Sequence, residues 1–107
     1  MTVGIARVTL FIAGSHSLKE KRMVVRRVKD LVRQKFNVSI AEVGANDVWQ
    51  KAVLGITLCG NEGRFVESAL DEVLSFVRGK AEVTGEEREI QTFNETPLGQ
   101  DLRHWQG

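Results

Sequence analysis

The chain has one cysteine, one proline, two histidines and no apolar run near the roughly 20 residues that a membrane span requires. A single cysteine, Cys59, excludes an internal disulfide and any multi-cysteine metal site. It lies in an apolar run, where a buried, inert thiol is the expected state, and the natural compartment is a reducing cytoplasm. The N-terminal stretch carries no basic segment ahead of its apolar residues, and Arg7 interrupts them, so no secretory signal is expected. One proline against ten glycines points to tight turns rather than rigid linkers. With His16 and His104 the only histidines, no Ser-His-Asp set and no histidine-rich metal site can be assembled. Neither a catalytic residue, a metal nor a cofactor is expected.

What remains is ordinary for one globular domain: 107 residues, 42 % hydrophobic and 27 % charged. The net charge of +1 conceals an asymmetry. Residues 1–53 hold ten Lys/Arg and four Asp/Glu, whereas residues 54–107 hold five and ten.

Hydrophobic patterning divides the chain into six elements. Thr2 to Ile12 alternates as a strand. Ser17 is an N-cap with Glu20 completing a capping box, and a helix follows with apolar residues at 18, 24, 25, 28, 31, 32 and 36. Val38 to Val43 is a short strand, Gly44 to Asp47 a turn, and Val48 to Cys59 a third strand. Gly60 to Gly63 opens a second helix, with Phe65, Val66, Ala69, Leu70, Val73, Leu74 and Val77 on one face and Gly79 at its end. A last strand runs from Glu82 to Phe93, with Gly85 as a bulge or a break. This order, β-α-β-β-α-β, predicts an α+β ferredoxin-like sandwich: a four-stranded antiparallel sheet with both helices on one face. Residues 1–93 form the domain. Residues 94–107, containing Leu102, His104 and Trp105, read as a flexible tail.

Three features carry the functional expectation. The first helix holds eight basic residues against two acidic ones between 18 and 36, and Lys19, Arg22, Arg26, Lys29 and Arg33 fall in one stripe beside its apolar face. Such a stripe can track a phosphate backbone, and it can equally be a solvated face that keeps the protein soluble. The loop of Ser15, His16 and Ser17 precedes a helix N-terminus, where an anion is held or the helix is simply capped; the P-loop pattern is absent. On the sheet face away from the helices the alternation places Val3, Ile5, Arg7, Thr9 and Phe11 of the first strand. Trp49, Lys51, Val53, Thr57 and Cys59 of the third strand share that face. This face could stack bases, although the signature of RNA-recognition motifs is missing; a homodimer joined through Ile5, Phe11, Trp49 and Val53, or cover by the tail, accounts for it as well. Glu86, Glu87 and Glu89 are a charge run guarding an edge strand.

Three blocks go beyond generic pattern: G-S-H-S-L-K-E-K-R (Gly14 to Arg22), F-N-V-S-I-A-E-V-G (Phe36 to Gly44) and N-D-V-W-Q-K-A-V-L-G (Asn46 to Gly55). Together they resemble the YlxP-like family of small bacterial proteins, over about residues 2–92. The resemblance implies a single ferredoxin-like domain. Genes of that family often neighbour those for translation initiation factors and ribosome-binding factor A, which implies ribosome assembly or RNA handling. The positions carried over are Ser15, His16, Ser17, Leu18, Lys19, Lys21, Arg22, Asp47, Trp49 and Gln50. At Gly44-Ala45-Asn46 the chain departs from the family form, in which a polar residue or histidine often precedes the aspartate block. An acylphosphatase-like reaction, known on this topology, needs an arginine in the loop after the first strand; Arg22 lies inside the helix instead.

The expectation is a non-enzymatic, cytoplasmic accessory protein whose partner is ribosomal RNA or a ribosomal subunit, with no membrane partner. Its phosphate contacts would be Lys19, Arg22, Arg26, Lys29 and Arg33, with Trp49, Gln50 and Lys51 positioning or stacking at the rim and Ser15, His16 and Ser17 holding an anion. The alternative is an interaction module or homodimer joined through the open sheet face.

Overall fold

In the computed structural model, which describes residues 1–94, alternation and helical spacing resolve into β1 (Thr2–Phe11), α1 (Leu18–Lys35), β2 (Ser39–Gly44), β3 (Lys51–Gly60), α2 (Gly63–Arg78) and β4 (Glu82–Thr92). The strands form one antiparallel sheet in the order β2-β3-β1-β4. Both helices follow a strand and return the chain to a strand beyond its neighbour, so both cover the same face. This is the ferredoxin-like sandwich. The predicted tail residues Leu102, His104 and Trp105 lie outside the described residues.

The core lies between sheet and helices. β1 contributes Ala6, Val8 and Leu10, β3 contributes Ala52, Leu54, Ile56 and Leu58, and α2 contributes Val66, Leu70, Val73, Leu74 and Val77. Each fully buried Val or Leu stabilises the fold by about 1.5–3 kcal/mol. α1 supplies only Val25, Val28 and Val32 to the buried set, with Lys21 beside them. α2 approaches β1 so closely that a Cβ built on Gly4 would stand 2.7 Å from Val66 Cγ1 and 2.8 Å from Leu70 Cδ1. Glycine at position 4 is therefore a condition of that packing.

The ends of the elements differ from expectation in instructive ways. β3 begins at Lys51, not Val48, because Ala45 takes a left-handed conformation (φ 57°) and the Val48 N–H closes a turn onto the Ala45 carbonyl at 3.1 Å. Trp49 and Gln50 thus belong to the connection and not to the open sheet face. Phe65, placed by spacing on the core face of α2, is 62 % exposed, since it lies at the outer margin of that face near the helix start. Cys59 is exposed, which overturns the expectation of a buried thiol. Alternation decides it: Leu58 points to the helices, so its neighbour points away. The irregularity expected at Gly85 is present: between Thr9/Gly85 and Leu10/Val83 the register shifts, leaving Thr84 with no residue opposite it on β1, its hydroxyl donating to the Thr9 carbonyl at 3.4 Å.

Candidate functional site

The site is built where α1 starts. Ser17 is the N-cap of α1, its Oγ accepting the Glu20 N–H at 3.1 Å. Glu20 reaches back one residue further than in a standard capping box, and its Oε2 accepts the His16 N–H at 2.6 Å. Ser15 is buried; its hydroxyl donates to the Ser17 carbonyl at 3.0 Å, and its N–H donates to the Ile12 carbonyl. The hydroxyls of Ser15 and Ser17 are thus engaged within the loop, and the Glu20 carboxylate already sits at the helix N-terminus. Of the three residues expected to hold an anion, His16 alone is exposed.

The most informative residue is Lys21, 1 % exposed. Its ammonium donates to the Ala45 carbonyl and stands 2.8 Å from Glu42 Oε2. That carboxylate oxygen is buried and makes no directed hydrogen bond, so the lysine serves it by charge at close range and serves Ala45 by a true hydrogen bond. A lysine removed from water costs several kcal/mol unless it is compensated this way. The contact ties the first turn of α1 to the connection between β2 and β3. Pattern reasoning assigned Lys21 no structural role. The signal was nevertheless available: Lys21 is four residues before Val25 and seven before Val28, within the apolar stripe, and Glu42 shares the inward phase of β2 with Ile40.

This tie brings two loops together. Ser15 and His16 from the β1–α1 loop, and Asp47, Val48, Trp49 and Gln50 from the β2–β3 connection, line an open depression of about 520 Å³. Trp49 is 53 % exposed and Val48 47 %. The connection is joined to β1 by the Ile12 N–H, which donates to the Gln50 carbonyl at 2.8 Å. Lys51 and Phe11 face each other across β3 and β1 at the same end of the sheet.

From this end the basic stripe runs along α1. Lys19, Arg22, Arg26 and Arg33 are exposed, and Lys29 is half-buried. Arg33 is partly engaged: it donates to the Ile40 carbonyl on β2 at 2.8 Å and lies 3.8 Å from Asp30. No ion pair forms at Lys19, Arg22, Arg26 or Lys29 among the described residues. The stripe therefore faces out beside edge strand β2, with its N-terminal end next to the depression.

The open sheet face is a separate region. Ile5 and Val53 are half-buried on it, and Phe11 is 40 % exposed. A groove of about 500 Å³ crosses it at Gly55, between Val43 on one side and Arg7 with Glu87 on the other. Arg7 and Glu87 form a two-pronged hydrogen-bonded pair at 2.9 Å. Ile5, Phe11 and Val53 share this face, whereas Trp49 stands at the end of the sheet; the interface set expected from alternation is divided accordingly.

Among the described residues no group of three or more His, Cys, Asp or Glu could hold a metal ion, and no helix is long and apolar enough to cross a membrane.

Comparison with known proteins identifies a family. The chain is 38 % identical over 81 residues, 76 % of this chain and 88 % of the relative, to the uncharacterized protein YlxP of Bacillus subtilis (strain 168). Among solved structures it is similar to a de novo designed protein with a ferredoxin fold (TM-score 0.49, 16 % identity, 92 % of this chain and 91 % of that one). It is also similar to SnoaB, a cofactor-independent oxygenase from Streptomyces nogalater (TM-score 0.44, 12 % identity, 91 % and 97 %). The family model for the protein of unknown function DUF503 matches residues 3–90, nearly the whole described domain, and the chain therefore belongs to this YlxP-like family.

Proposed function

We propose that this protein is a non-enzymatic, cytoplasmic accessory factor that binds RNA, on its own or within a ribosomal subunit, through the phosphate backbone and the basic face of α1. The observation that carries the reading is the row of exposed cations Lys19, Arg22 and Arg26, continued by Lys29 and Arg33, with ion pairing confined to Arg33 among the described residues. Cations at successive helical turns release counterions when they meet phosphates, which favours a polyanion over a compact acidic partner. Trp49, Gln50 and Lys51 stand at the end of this track, where bases carried by the same strand would lie. From the loop the reading draws on His16, since Ser15 and Ser17 are engaged in capping.

The test is co-sedimentation with ribosomal subunits over a salt series, beside a Lys19→Glu/Arg22→Glu/Arg26→Glu variant. Salt-sensitive binding that the variant loses supports the reading. Absence of binding at low salt dismisses it.

A second reading has its own observation. Ile5 in the groove at Gly55, with Val53 and Phe11 further along the same strands, leaves apolar surface on the open sheet face, and a second copy of the chain would cover it. Sedimentation velocity of the protein and of a Val53→Asp variant decides this: a dimer that the variant splits supports the homodimer, and a monomer at micromolar concentration removes it.

A further inference from the structure

Asp47 is out of place on a surface that meets a polyanion. It lies in the half of the chain that carries the basic excess, in the same depression as His16 and Trp49, and forms no ion pair or side-chain hydrogen bond among the described residues. A carboxylate there repels phosphate and weakens non-specific RNA binding unless it receives donors from the ligand. Beside it Trp49, 53 % exposed, offers a flat aromatic surface of the kind on which unstacked bases rest. The wall is held in place by the buried Lys21, whose hydrogen bond to Ala45 fixes the connection carrying both residues.

Base chemistry narrows the occupant. A carboxylate accepts two parallel hydrogen bonds most strongly from two adjacent donors on one rigid edge. On their Watson–Crick edges adenine and cytosine each present one amino donor beside an acceptor, and uracil one imino donor between two acceptors. Guanine alone presents N1–H and N2–H₂ side by side. That edge is occupied within a duplex, and the deep, narrow major groove of A-form RNA admits no side chain, so the base must be unpaired.

We propose that the depression between the β1–α1 loop and the β2–β3 connection takes an unpaired guanine of an RNA strand, stacked on Trp49 and read through N1–H and N2–H₂ by Asp47. This rests on the RNA-binding reading above and deepens it: α1 supplies affinity without regard to sequence, and Asp47 supplies preference.

The chain has two tryptophans, so a Trp105→Phe background makes Trp49 the sole indole reporter. Four hexaribonucleotides serve as probes: oligouridylate with guanine, adenine, cytosine or uracil at one central position. The guanine oligomer is expected to bind about tenfold more tightly than the other three, in line with one good two-pronged base contact, and to quench Trp49. Asp47→Asn should bring guanine to the level of adenine while leaving the salt dependence unchanged. Trp49→Phe, followed with end-labelled oligomers, should weaken all four yet keep the order. Equal affinity of the unmodified protein for the four oligomers, or a guanine preference that survives Asp47→Asn, overturns the inference. If the four bind equally but with steep salt dependence, the phosphate track on α1 stands and the guanine site falls; if none binds at low salt, both fall.

Discussion

The two βαβ halves share a topology and differ in how they use charge. In the half built on α2 and β4 the charges meet one another: Arg78 pairs with Glu86 and Arg88 with Asp71, while Glu87 takes Arg7 from β1 of the other half. In the half built on α1 and β2 one pair, Lys21 with Glu42, is buried, Arg33 leans on Asp30 at 3.8 Å, and the remaining cations of the stripe face water. The packing differs in the same sense. α2 buries five apolar side chains against the sheet; α1 buries three valines and a lysine. The fold evidently does not need a basic helix, because α2 fills the equivalent position without one. The exposed cations Lys19, Arg22 and Arg26, unpaired among the described residues, are thus surplus to folding, and a surplus on one face is what a partner of opposite charge can use.

The largest effect is expected from inverting that asymmetry. The Lys19→Glu/Arg22→Glu/Arg26→Glu variant should lose roughly a hundredfold in RNA affinity and reduce the salt slope by about 2–3, since each lost phosphate contact removes about 0.7–0.9. Glu72→Lys on exposed α2 should leave the slope unchanged. Filter binding at several salt concentrations measures both, and a slope that changes as much for Glu72→Lys as for the α1 variant would erase the distinction between the halves.

Next comes Lys21→Met, which leaves the buried Glu42 oxygen without a counter-charge and the Ala45 carbonyl without its donor. A destabilisation of about 2–3 kcal/mol is expected in urea unfolding, and the Lys21→Met/Glu42→Leu double variant should recover much of it. A double variant no better than the single one would mean that the pair is not what holds the connection.

Smaller effects follow from the glycines. Gly4→Ala pushes a methyl into the buried side chains of Val66 and Leu70 and should cost about 1–3 kcal/mol. Gly55→Ala meets Val43, which is 57 % exposed on the edge strand and can turn aside, so its effect should stay within about 0.5 kcal/mol. Thermal melts of the two variants compare them directly.

The smallest effect belongs to Glu86. Its hydrogen bonds from Arg78 hold its carboxyl below the ordinary glutamate range, against a partial burial that would raise it. A group depressed in the folded state stabilises above its unfolded value, and the contribution is lost as pH falls through the folded one. Glu86→Gln should therefore melt slightly below the unmodified protein at neutral pH, and the gap should close as pH falls below the ordinary glutamate range. A gap independent of pH would assign the effect to packing.

Much of this was legible in advance because it follows from local periodicity. The six elements, the outward phase of Val3, Ile5, Thr9 and Phe11 on β1 and of Val53, Thr57 and Cys59 on β3, and the irregularity near Gly85 all follow from alternation of period two and helical spacing near 3.6. The basic stripe was legible for the same reason. Composition misled where it was used without phase, as at Cys59, and helical spacing was too coarse at the margin of a face, as at Phe65. The functional loop was legible only in its parts: Ser15, His16, Trp49 and Gln50 were singled out, but nothing local joined the two segments that carry them.

Chain order and hydrophobic phase were therefore enough to specify the sandwich and the charge of its first helix, since both depend on neighbours a few residues away. Three things had to wait for the tertiary structure. A lysine in an apolar stripe is ambiguous until Glu42 and the Ala45 carbonyl, 21 and 24 residues further along, are known to surround it. A serine–histidine loop looks like an anion site until Glu20 is seen to occupy the helix N-terminus. And Asp47, Trp49 and His16 become one site only because the sheet order sets the β1–α1 loop beside the β2–β3 connection. In each case the deciding energy comes from groups distant in sequence, whose desolvation and pairing are settled only when the chain has closed around them.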